Sequence, residues 1–107
     1  MSHADVYSTV AALVPCAHVA WDAGDVPELP WAVYLIDEPE TMAADDDNWV
    51  PVSRWRVELY EKARDAQLEA DLAKAIRGRF GPVAVSEYWI DTEKCREVVF
   101  QFTQIGA

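Results

Sequence analysis

Six carboxylates crowd the eleven residues from 37 to 47: Asp37, Glu38, Glu40, Asp45, Asp46 and Asp47. Dense oxygen ligands of this kind are what calcium prefers. The Asp45-Asp46-Asp47-Asn48 run, however, lacks the alternate-residue spacing, the turn glycine and the distal glutamate of an EF-hand loop. It reads as a solvated, self-repelling loop, with a contact surface for a basic partner as the functional alternative. Cys16 and His18 stand two residues apart, which puts both on one face of a strand. A Cys–His nucleophile also needs an orienting third group and an exposed thiol, and the sequence singles out neither. His3 and His18 are the only histidines, and with Cys16 and Cys95 they make no zinc spacing. There is no glycine-rich phosphate loop and no nucleophile elbow. No catalytic, cofactor-binding or metal-binding residue is assigned, and no cofactor is expected.

Composition bounds the rest. A chain of 107 residues, 51% hydrophobic, is expected to form one α+β domain over residues 1–107 around one core. Five Trp, four Tyr and three Phe exclude intrinsic disorder. No stretch approaches the ~20 apolar residues of a membrane span. The opening Met1-Ser2-His3-Ala4-Asp5 lacks the basic-then-apolar run of a signal peptide, and two cysteines make no disulfide framework. The expectation is an intracellular protein with reduced thiols. All nine basic residues lie between Arg54 and Arg96. Residues 1–53 hold ten acids and no Lys or Arg, so the whole net charge of −10 sits in the first half. Phosphate contacts need clustered Lys and Arg, so neither nucleic acid nor an anionic membrane is an expected partner.

Pattern supplies the elements. Val6, Val10, Leu13 and Val14 recur at helical spacing, predicting a helix over about 2–14 that Pro15 ends, with Ser2 and Asp5 as a capping box. Residues 16–21 suit a short strand, and the Gly- and Pro-containing stretch 22–30 a loop. Trp31 to Ile36 is apolar on both faces, as in a strand covered on both sides. Residues 37–48 read as an irregular acidic hairpin loop. Trp49 to Tyr60 reads as a strand with Trp55, Val57 and Leu59 on one face and Arg54, Arg56, Glu58 and Tyr60 on the other; Pro51 marks an irregular start. Asp65 caps a helix over about 66–79 whose stripe is Leu68, Leu72, Ile76 and Phe80, with Gly78 or Gly81 at its end. Residues 83–90 and 95–105 are strands around a turn. The expected order is α-(β)-β-β-α-β-β: a mostly antiparallel sheet of four to five strands with two helices packed on it. Trp31, Trp55, Phe100 and Phe102 are expected to face the helices. Trp49, Tyr60, Tyr88 and Trp89 are the aromatic residues available to an interface.

Leu29-Pro30-Trp31-Ala32-Val33-Tyr34, then Ala44-Asp45-Asp46, then Arg56-Val57-Glu58-Leu59-Tyr60 resembles a family of small phage proteins. These are the tail terminator, tail-completion or head–tail joining proteins of long-tailed phages and prophages. A helix carrying a Glu follows in that family, matched by Glu69, and then a late aromatic strand, matched by Glu87-Tyr88-Trp89-Ile90. The resemblance runs from about Leu29 to Thr103. It implies structural work rather than catalysis: a homo-oligomeric ring, commonly a hexamer, that caps the tail tube and meets a head-completion protein. The implied location is the virion tail, reached through the host cytoplasm. The unusual Trp content and the triple Asp depart from the family pattern and leave the partner-facing loop undefined.

Six copies would concentrate about −60 of formal charge, so the acidic segment is expected to face solvent, a lumen or a basic partner, not the seam. Arg54, Arg56, Glu58 and Tyr60 are the candidate subunit interface. The alternative reading is a small acidic binding protein, a DNA-mimicking inhibitor or an adaptor; an enzyme using the acidic loop is a third.

Overall fold

The computed structural model describes residues 3–45 and 48–105. It is an α+β fold in which one five-stranded mixed sheet carries two helices on one face. The elements are α1 (His3–Ala11), β1 (Cys16–His18), β2 (Trp31–Asp45), β3 (Asn48–Glu61), α2 (Ala66–Phe80), β4 (Ala84–Ile90) and β5 (Cys95–Ile105). The strand order is β1-β2-β3-β5-β4. Among the described residues only the β1–β2 pair is parallel; the other three pairs are antiparallel.

Alternation divides the strands between two faces. Ala32, Tyr34, Trp55, Val57, Leu59, Val98, Phe100 and Phe102 turn toward the helices and form the core with Val6, Val10 and Val14 and with Leu72, Ile76 and Phe80 of α2. Phe100 is fully buried, and Phe80 stacks on Phe102 at 5.0 Å. α1 stops at Ala11, four residues short of Pro15, and a further turn continues through hydrogen bonds to the Val10 carbonyl. Leu13 leaves the expected stripe and is exposed. The capping role assigned to Ser2 lies outside the described residues. α2 starts as expected: the Asp65 carboxylate accepts from the Leu68 N–H at 3.0 Å. It ends at Gly81, whose φ of 95° is a conformation that side chains rarely adopt, and whose N–H donates to the Arg77 carbonyl.

The acidic stretch 37–45 is not a loop. It continues β2, paired with β3 as far as Asp45 opposite Asn48, with register shifts after Ile36 and after Ala43. The register is fixed in the core, where Ala32 faces Leu59 and Ile36 faces Trp55. Once fixed, each further pair adds ladder hydrogen bonds without a new closure cost, which overrides the poor strand propensity of Asp and Glu. Both prolines of this ribbon are tolerated for one reason. Pro51 lies one residue beyond the last described β3–β5 pair, Val52 with Ile105, and Pro39 beyond the β1–β2 pairs, which end at His18 with Tyr34. Among the described residues each strand is an edge there, and a missing N–H leaves no ladder partner stranded.

Candidate interaction surfaces

The helix-free face carries the expected interface residues. Arg56, Glu58 and Tyr60 alternate along β3 away from the core, and Arg54 is exposed on the same side. Arg56 Nε donates to Glu58 at 2.7 Å. The Tyr60 hydroxyl donates to the Glu97 carboxylate at 2.7 Å and lies 3.2 Å from Glu58, a second acceptor for the same proton. Burial, and then the Glu97 and Glu58 carboxylates, push the Tyr60 hydroxyl well above its usual pKa. Arg56, Glu58 and Tyr60 therefore already form a network within one chain. Val33 and Val99 are buried on this face as well, so it is not wholly polar. Trp31 also lies here, 4.7 Å from the Tyr60 ring, and not toward the helices as expected. The cause is register: Trp31 pairs with Tyr60 while its neighbour Ala32 takes the core position opposite Leu59.

β4 is the other notable surface. It pairs with β5 alone, so its outer edge is open among the described residues. Val85, Tyr88 and Trp89 are each about half exposed or more, at 49%, 53% and 59%. A seven-residue edge strand with three exposed large apolar side chains and one charge has few of the usual defences against pairing with another chain.

Three carboxylates meet one guanidinium where β3, α2, β4 and β5 converge. Arg96 Nη2 is 2.7 Å from Glu87 and 3.4 Å from Glu69, and Nε is 3.6 Å from Glu61. Glu61 is 1% exposed. Burial, and then the adjoining Glu69, raise its carboxyl to about 7, although the Asp65 amide and Arg96 pull the other way. Glu69 thus has a structural task, holding Arg96 beneath the first turn of α2. The cluster joins four elements, tying β3, α2 and β4 to β5 through one side chain.

Cys16 and His18 do share a face, but they do not make a reactive pair. Cys16 is buried, and burial raises its thiol to about 12. His18 packs against His3 at 4.6 Å and Tyr34 at 5.0 Å. Cys95 is also buried and unbridged. Among the described residues no three metal-ligating side chains gather. Of the six loop carboxylates, Asp37, Glu38, Glu40 and Asp45 belong to β2, while Asp46 and Asp47 lie outside the described residues. No described helix is long and apolar enough to cross a membrane.

Sequence reasoning missed the Arg96 cluster and the His3–His18 contact. The first needed the β3–β5 register, which sets Glu61 opposite Arg96. The second needed the parallel β1–β2 pairing, which sets His18 opposite Tyr34. Neither the family models nor the curated proteins contain a match to this chain.

Proposed function

We propose that the chain is a non-enzymatic phage or prophage structural protein, a tail terminator or head–tail joining protein. It assembles as a ring, with six copies expected, on the tail-tube protein and offers a surface to the head-completion protein. It acts in the virion tail after assembly in the host cytoplasm. The observation that carries this reading is the open, apolar β4 edge: a chain that keeps Val85, Tyr88 and Trp89 exposed on an edge strand is built to be covered. The element order and the motifs from Leu29 to Thr103 add the family resemblance.

Light scattering at low and physiological salt, with and without tail-tube protein, tests it. The expected result is a discrete mass near six times 12.0 kDa, alone or on the tube, lost in Trp89→Lys. A monomer under every condition overturns it. One observation favours the acidic binding protein as a second reading. The carboxylates at 37–45 lie along a strand, so Glu38 and Glu40 are about 6.7 Å apart along the chain. Salt-sensitive binding to a basic nuclease would select that reading.

A further inference from the structure

The loop between β1 and β2 crosses the helix-free face and leaves an open groove there. Its central walls are Val26, Trp31 and Tyr60, shared by two adjoining hollows of about 280 and 490 Å³. Trp21 closes one side, in edge contact with Trp31 at 6.1 Å, and Ile90 lies at the other. The groove is thus floored by aromatic and aliphatic surface. Val26 is more than half exposed although it lies in that apolar lining.

The charged residues that line the groove are acidic, and Lys94 in the turn beside it is held by Asp91 at 2.8 Å. Glu58 and Glu93 line it. Asp22, Asp25 and Glu28 stand exposed on the loop that forms its wall. The neighbouring cation Arg56 is held against Glu58 at 2.7 Å. Two further details set this loop apart. Val19, which lines the groove, has φ of 68°, in a tight turn closed by the Ala20 N–H on the His18 carbonyl. A β-branched residue there is strained, and such strain gathers at ligand-binding segments. The Trp21 indole N–H is buried in the same wall with no acceptor among the described residues.

We propose that this groove binds a basic segment of a partner protein, with an arginine side chain laid over the Trp31 and Tyr60 rings and an apolar neighbour against Val26 and Ile90. A guanidinium sheds water readily, stacks on aromatic faces and forks onto carboxylates, so it matches both floor and rim. A phosphate or nucleic-acid ligand would meet five carboxylates. A second copy is disfavoured as occupant by the −10 that it would bring. The inference does not depend on ring assembly, since a monomer would bind equally.

The test uses the full chain and three synthetic peptides: acetyl-Ser-Leu-Arg-Leu-Ser-amide and its analogues with citrulline or Glu in place of Arg. The indole N–H signals of Trp21 and Trp31 are followed by NMR during titration. The Arg peptide is expected to shift both, with binding about tenfold tighter than the citrulline peptide and the Glu peptide inert. Glu93→Lys and Val26→Ser alter exposed positions and leave the fold intact, and each should weaken Arg-peptide binding about tenfold. Equal binding of Arg and citrulline peptides, no shift at either indole, or binding that both variants leave unchanged would overturn the proposal. Self-association that Glu93→Lys abolishes would overturn it too, by assigning the groove to a second copy.

Discussion

The two faces of this sheet are built from the same strands and lead different lives. On the helix-covered face Phe100, Leu59 and Val57 are inaccessible, and Glu61 and Glu69 are drawn into a largely buried knot around Arg96. On the bare face the neighbouring positions hold Arg56, Glu58, Tyr60 and Glu97, joined to each other in partial contact with water. One residue of register separates the two conditions. The covered face holds the core; the bare face and the β4 edge are what the fold leaves to the surroundings.

Breaking the covered face should have the largest effect. Phe100→Ala should cost about 3–5 kcal/mol of unfolding free energy, measured by urea denaturation, because a fully buried ring leaves a cavity. A similar cost for Gln101→Ala, one position along and on the bare face, would erase the distinction. Arg96→Leu should come next, at about 3 kcal/mol, since it strands Glu61 and Glu69 without their cation.

The same knot gives the covered face a pH response. Glu61 binds its proton more tightly folded, at about 7, than in an unfolded chain near 4.5. Its contribution is fully present below about 4.5 and is lost as pH rises through about 7. Glu61→Gln should therefore reduce the drop in Tm between pH 5 and pH 8. An unchanged drop would show that Glu61 is ionised throughout.

On the bare face Tyr60→Phe should cost only about 1 kcal/mol, by chemical denaturation, since it removes one hydroxyl shared by two carboxylates. Trp89→Lys at the β4 edge should change monomer stability by less than about 0.5 kcal/mol, yet abolish assembly in the light-scattering experiment. The smallest thermodynamic effect would then carry the largest functional one.

What was legible in advance follows the same division. α2 was readable because Asp65, the four-residue apolar spacing and Gly81 all point to one element. β5 was readable within its limits, Cys95 to Ile105, because its alternation has a turn before it. Residues 37–45 were not, because their strand conformation is set by a register fixed in the core, where Ala32 faces Leu59, rather than by local preference. Trp31 was misplaced because an unbroken apolar run gives no phase, and its small neighbour Ala32 took the core position. The Arg96 knot and the aromatic groove each join distant segments, and no spacing along the chain announces them.

β5 follows the other described strands in sequence, yet it sits inside the sheet between β3 and β4. A nascent chain emerging from the ribosome can pair β2 with β3 early, but β4 has no strand to join until residues 95–105 are out. Until then Val57 and Leu59 lack their cross-strand neighbours Phe100 and Val98. Synthesis thus passes through a long interval in which the middle of the sheet is an exposed apolar edge, open to chaperones, proteases and other copies. A product stopped short of residue 95 would stay in that state, so the middle of the sheet closes only once β5 is made.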